Sequence, residues 1–197
     1  MPSLFRRKNI FAMKYLTTSR LLLRAWDEED IMPFYRMCQD PQVMEYFPEL
    51  WSMDMVKDFI MRMNEQLSQK DFTLWAAEVK DSKRFIGFIG LNSPTWNAHF
   101  TPCVEIGWRL ATEFWGQGYA TEGAKAALEY AFQNMRIPEI VSFTVPDNFR
   151  SRCVMERIGM TRDCTGDFLH PKLVSDHRLA KHVLYRIQNP LQKVDGF

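Results

Sequence analysis

The sequence predicts a mixed α and β domain with helices packed on one central sheet, and three features lead to that class. Helical periodicity dominates the first third of the chain, short β-prone runs form a meander in the middle, and a strand, glycine turn, helix, strand unit precedes two closing strands. With 197 residues, 46% of them hydrophobic, the chain suits one core of ordinary size and leaves a second full domain out.

Residues 1–15 carry Arg6, Arg7 and Lys8 without periodic apolar support, and are expected to form an N-terminal extension. The single domain is expected over 16–190, with 191–197 as a C-terminal tail. Thr18 to Trp26, with Leu21-Leu22-Leu23 between Arg20 and Arg24, predicts a first strand. Asp27 to Asp30 then predicts a helix start, with Asp30 as the cap and Pro33 in the first turn. Ser52 is expected to cap a second helix whose Val56, Phe59, Ile60, Met63 and Leu67 make one buried stripe.

After Asp71 the period changes. Thr73 to Val79 and Phe85 to Leu91 predict an antiparallel pair joined by Lys80-Asp81-Ser82-Lys83, and Asn92 to Pro102 predicts a loop before a third run, Cys103 to Leu110. Helical spacing resumes at Ala120, Ala124, Ala127, Leu128, Ala131, Phe132 and Met135. Ile140 to Val145 is the next strand, and Asn148 is expected to cap a short helix over Phe149 to Ile158 that Gly159 ends. Strands near Thr161 to Phe168 and His182 to Ile187 close the fold.

Composition excludes several functions. A formal net charge of +1 offers no global field for nucleic acid or an anionic membrane, and no apolar run reaches the length of a spanning helix. A soluble intracellular protein, of cytoplasmic type, is expected. Cys38, Cys103, Cys153 and Cys164 form no CxxC pair and are expected as reduced, mostly buried thiols, while His99, His170, His177 and His182 lack metal-binding spacing, so no metal is expected.

The segment Trp115-Gly116-Gln117-Gly118-Tyr119-Ala120-Thr121 carries the chemistry, because it sets two glycines between a strand and an alanine-rich helix. Glycines let the backbone turn tightly and approach a ligand, and the amides that open a helix converge on one point, a geometry suited to a diphosphate. No Gly-Lys-Ser/Thr follows, and the three-glycine spacing of a dinucleotide fold is missing. A purely structural turn is the competing reading.

Around this loop stand Glu105-Ile-Gly-Trp-Arg-Leu before it and Val145-Pro-Asp-Asn-Phe-Arg-Ser-Arg-Cys-Val-Met-Glu-Arg-Ile-Gly-Met after it, with Thr18-Ser-Arg-Leu-Leu-Leu-Arg-Ala-Trp at the opening. The combination resembles the GNAT superfamily of acetyltransferases, and within it the RimJ/RimL type that acetylates ribosomal-protein N-termini, over about Thr18 to Ile187. The resemblance implies a twisted, mostly antiparallel sheet splayed in the middle and flanked by helices. It implies acetyl-CoA as cosubstrate, in the splay, and direct transfer to an amine entering from the opposite face. A protein N-terminus and a small amine both remain open as acceptors, and so do monomer and homodimer.

Carried over residue by residue, the resemblance implies that Ile106, Trp108 and Leu110 offer backbone to the pantetheine arm. Gly116, Gln117, Gly118, Tyr119, Ala120 and Thr121 would hold the pyrophosphate, Asn148 would stand near the pantetheine, and Ser151 near the sulfur. The family often starts the loop with Gln or Arg and places a Tyr acid on the following short helix. Trp115 and Met155 stand at those positions here, which leaves Ser151 as the candidate acid.

An alkylammonium must lose its proton before it attacks, so a base is required. Glu105 is the first candidate, with a merely solvated strand residue as the alternative; Asp167 is the second, with a turn-stabilising role as its alternative. Arg152 is a candidate for the cofactor phosphates, and Trp96, His99 and His170 for the acceptor pocket. A CoA-binding module without turnover is the alternative from another class.

Overall fold

The computed structural model describes residues 15–192, so the extension expected before the domain lies outside the described residues save for Tyr15. The same holds for 193–197 of the expected tail. The strands are β1 (Leu16–Thr17), β2 (Leu21–Arg24), β3 (Leu74–Val79), β4 (Arg84–Asn92), β5 (Glu105–Leu110), β6 (Glu139–Thr144), β7 (Thr161–Leu169) and β8 (Lys181–Gln188). The helices are α1 (Ile31–Met37), α2 (Met53–Lys70), α3 (Tyr119–Gln133) and α4 (Phe149–Arg157).

All eight strands join one sheet in the order β1-β2-β3-β4-β5-β6-β8-β7. Every neighbouring pair is antiparallel except β5 and β6, which run parallel and share a single register pair, Glu105 with Val141. The mixed, mostly antiparallel sheet expected from the sequence is therefore present, and its two central strands part after one step.

Alternation along the strands makes two apolar layers. On one face Leu21, Leu23, Trp75, Ile89, Ile106 and Ile140 pack beneath Ala124, Ala127 and Ala131 of α3 and Met155 of α4. Small residues on α3 let its axis approach the sheet closely. On the other face Trp26, Leu74, Ala76 and Phe88 meet Phe34 of α1 and Val56, Phe59, Ile60 and Met63 of α2, four residues of the expected stripe; the fifth, Leu67, is half-buried against the first cluster. Phe34, Ile60 and Trp75 are fully buried, each contributing roughly 1.5–3 kcal/mol of transfer free energy. Ser52 Oγ accepts from the Met55 amide at 3.2 Å, capping α2 as expected.

Three expectations are corrected. The first strand is broken into β1 and β2 by a tight turn at Thr18-Ser19-Arg20, where the Thr18 hydroxyl accepts from the Leu21 amide at 2.8 Å. Asp27, not Asp30, is the side-chain cap, and it opens a short 3-10 turn ahead of α1. Asp30 is drawn away because its carboxylate takes the Arg24 guanidinium at 2.7 and 2.9 Å. The cysteines are all free, but only Cys38 is buried; Cys153 on α4 and Cys164 on β7 are exposed, and Cys153 borders a large cavity.

Candidate active site

The parting of β5 and β6 creates the site. The Val141 amide donates to the Val104 carbonyl at 2.9 Å, and the Ser142 hydroxyl, rather than a backbone amide, donates to the Ile106 carbonyl at 2.9 Å. Beyond that point β6 supplies no register partner, so by alternation the peptide groups of Trp108 are the next to face the gap. The Leu110 carbonyl is taken by the Trp115 indole N–H at 2.8 Å. A cavity of about 1250 Å³ opens here, walled by Glu105 to Leu110, by the glycine loop and by α4.

In the loop, Gly116 and Gly118 sit at φ 72° and 83°, the left-handed region that side chains disfavour. Gly118 is the N-cap of α3 and offers no side chain, so the amides of the helix's first turn are left to an external acceptor. Gly116, Gly118, Tyr119, Ala120 and Thr121 all line the cavity. Gln117 does not: its amide nitrogen donates to the Glu113 carbonyl at 2.8 Å. The loop is held from below by Arg20, whose guanidinium donates to the Gln117 carbonyl at 2.9 Å and lies 4.4 Å from the Tyr119 ring centre. Sequence reasoning missed Arg20 and its partner Glu122 as loop supports, although the opening motif that contains Arg20 was visible.

Asn148 Oδ1 accepts from the Ser151 amide at 3.2 Å, and its Nδ2 donates to Thr144 Oγ1 at 3.0 Å, so the residue caps α4 and ties it to the end of β6. Both Asn148 and Ser151 line the cavity. Met155 is turned into the core with 1% exposure, so no acid reaches the cavity from that position. Arg152 serves structure: it donates to the Pro146 carbonyl at 2.9 Å and the Tyr185 hydroxyl at 3.2 Å, outside the cavity wall.

Glu105, the first residue of β5 and the one in register with β6, has its half-buried side chain on the cavity. Burial pushes its carboxyl up to about 7, against the opposing effect of a hydrogen bond from Asn92 Nδ2 at 3.1 Å. Asp167 is elsewhere: on β7, 2.5 Å from the Arg162 guanidinium and away from the cavity lining. His170 does line the cavity beside His182, their ring centres 5.1 Å apart. Burial pulls the His170 imidazole down to about 4, with the neighbouring His182 and Lys172 acting in the same direction. Trp96 packs behind this pair, 5.0 Å from His170 and stacked on Phe168, while His99 is exposed against Phe100. Neither reaches the cavity wall.

The opposite wall is the connector between α1 and α2, unassigned from the sequence. Glu45 on it pairs with Arg150 of α4 at 2.7 Å, and the Glu45 carbonyl accepts from Arg178 at 3.0 Å. The Tyr46 hydroxyl donates to the Asp147 carbonyl at 3.2 Å. These bonds strap the helical side of the cavity to α4 and to the β7–β8 loop.

A mixed sheet splayed between two parallel central strands, with a glycine-opened helix at the mouth of the splay, defines the GNAT class of acetyltransferases. Comparison agrees: residues 20–161 match the model of the acetyltransferase (GNAT) domain. The chain is 31% identical over 150 residues to the uncharacterized N-acetyltransferase YnaD of Bacillus subtilis, covering 76% of this chain and 84% of that one. A GNAT-family acetyltransferase of Bacillus anthracis superposes with a TM-score of 0.72 at 24% identity, covering 89% and 98% of the two chains. The spermidine N-acetyltransferase of Vibrio cholerae, in complex with CoA and spermine, superposes with a TM-score of 0.67 at 20% identity, covering 87% and 96%. The protein belongs to the GNAT family, in its RimJ/RimL-type branch, and is an acetyl-CoA-dependent N-acetyltransferase.

Proposed function

We propose that the protein moves the acetyl group of acetyl-CoA directly to a primary amine, on a protein N-terminus or a small molecule, held on the α1–α2 side of the sheet. The observation that carries this reading is the position of Glu105, a carboxyl raised to about 7 where β5 and β6 part. A base with a value near the working pH combines the deprotonated form with real proton affinity.

The residues fit the cosubstrate. A Cβ built on Gly116 would meet no atom within 4 Å, so the bend is bare on its open side, and the first amides of α3 carry the helix's partial positive charge. Tyr119, Ala120 and Thr121 would hold the pyrophosphate by those amides, and the free peptide groups of Trp108 would pair with the pantetheine arm as an added strand does. Bound there, acetyl-CoA supplies an activated acyl group on a thioester. Glu105 takes the proton of the entering ammonium, directly or through a water, and leaves a neutral amine as nucleophile. The Ser151 hydroxyl, near the N-terminus of α4, is the group available to donate toward the departing sulfur. No cysteine has a His and Asp setting that would favour a covalent enzyme intermediate, so the chief contribution is alignment of amine and donor.

The test joins two measurements on one preparation, CoA binding by calorimetry and thiol release from acetyl-CoA across a panel of peptides with free N-termini and small amines. Binding with amine-dependent release supports the reading. Binding with no release for any amine favours a CoA-responsive module, and no binding overturns both.

A further inference from the structure

Two charged side chains are buried among the described residues, Asp30 and Arg109. Asp30 is paired with Arg24. Arg109, at 6% exposure, has no carboxylate partner, and its Nε has no hydrogen-bond partner at all. Its Nη1 reaches only two weak acceptors, Cys38 Sγ and Met44 Sδ, each at 3.5 Å. The guanidinium is collared by aromatic rings, 3.7 Å from the centre of Phe47, 4.2 Å from Trp51 and 5.4 Å from Phe88. Rings return part of the desolvation cost of a buried cation, but they leave its in-plane donors unfilled.

The same side chain lines the cavity, on the face where the acceptor is proposed to bind. Glu105, Gly107 and Arg109 alternate onto one side of β5, and Gly107, lacking a side chain, leaves a furrow between the carboxyl and the guanidinium. Along the strand the two charged residues are separated by about 13 Å. The other Arg and Lys side chains of the cavity wall, Arg62, Arg150, Arg157 and Lys172, are exposed to solvent, so Arg109 is the buried cation of that wall.

We propose that Arg109 is the recognition site for a carboxylate on the acceptor, so that the preferred substrate is a primary amine that also carries a carboxylate several bonds away. The proposal rests on the acetyl-transfer reading and names the substrate class of that site. A carboxylate presents two oxygens to the guanidinium fork and supplies the counter-charge the fold omits. Burial lowers the guanidinium to about 10, so it remains cationic at neutral pH. An unpaired cation here also disfavours polyamines, whose remaining charges would be repelled.

The test uses ω-amino acids of graded length and short peptides with free C-termini, each against its own amide, with CoA-saturated protein. Thiol release gives kcat/KM and calorimetry gives binding. The acids are expected to exceed their amides by roughly tenfold or more, chiefly in KM. In Arg109→Gln that ratio should collapse to about one, and Arg109→Lys should restore part of it. Should Arg109→Gln fail to fold, the wild-type comparison of acids with amides decides alone. Equal use of acids and amides by the wild type, a ratio unchanged in Arg109→Gln, or CoA binding with no acid bound or acetylated overturns the proposal while the CoA site stands. Absence of CoA binding removes the acetyl-transfer reading, and this proposal with it.

Discussion

The Arg20 guanidinium meets the Glu122 carboxylate at 2.6 Å, joining the turn after β1 to the first turn of α3. Glu122 also accepts from the Thr18 hydroxyl at 2.5 Å, the Ser19 hydroxyl at 3.0 Å and the Arg20 amide at 2.8 Å. A single carboxylate thus anchors the base of the glycine loop on the side away from the cavity, and leaves the helix's leading amides open.

Glu122→Gln should loosen this anchor, lowering stability by about 1–2 kcal/mol and weakening CoA binding several-fold through the loop. Burial draws the Glu122 carboxyl upward, but the hydrogen bonds from Thr18, Arg20 and Ser19 prevail and hold it down to about 2. Its folded value lies below its unfolded one, so its contribution is present above about pH 4.3 and fades as pH falls toward 2. Thermal unfolding followed from pH 7 to 2 should therefore show the wild type losing its advantage over Glu122→Gln in that acid window; a constant gap would argue against the anchor.

Glu105→Gln should cut turnover by roughly 100-fold or more. In the wild type kcat/KM should rise through about pH 7 as the carboxylate forms, and the variant should lack that limb. Stability should move the other way. A carboxyl raised on folding favours the fold below its unfolded value and loses that advantage as pH rises through about 7, so at pH 8 the variant should be more stable by on the order of 2–3 kcal/mol. A profile with no inflection near 7, or a variant as active as the parent, would remove Glu105 as the base.

Gly118→Val places a β-branched residue at φ 83° and directs its side chain toward the Arg20 guanidinium, 3.4 Å from the position of a Cβ. Strain of about 1–2 kcal/mol and displacement of Arg20 from beneath the loop should shift the amides and raise the CoA dissociation constant at least tenfold by calorimetry. An unchanged constant would place the pyrophosphate elsewhere.

Ser151 and Asn148 separate capping from chemistry, because the cap bond uses the Ser151 amide and not its hydroxyl. Ser151→Ala should keep the melting temperature and lower kcat about tenfold. Asn148→Ala should cost about 1 kcal/mol of stability by removing the cap. Equal kcat in Ser151→Ala and the wild type would show that the sulfur leaves without help from this hydroxyl.

The sheet, the α2 stripe, the caps at Ser52 and Asn148 and the glycine turn were legible because each depends on residues a few positions apart. The break at Thr18-Ser19-Arg20 was not, since those residues look strand-like until Glu122, about a hundred positions away, is brought against them. Asp167 and Arg152 had the right residue types and regions, yet Arg162 in one case and Pro146 with Tyr185 in the other had claimed them. Nothing local distinguishes a carboxylate that faces a cavity from one that faces an arginine.

By itself the sequence determined the mixed α and β class, the element order and the loop suited to a diphosphate, because periodicity, capping and glycine conformation act over short stretches of chain, while the family came from the resemblance of its motifs. Only the tertiary structure decided which charges were paired and which were left alone. Desolvation at Glu105 and the uncompensated cation at Arg109 arise from groups that folding gathers from the α1–α2 connector, β4 and β5, and the energy of a buried charge is set by that company.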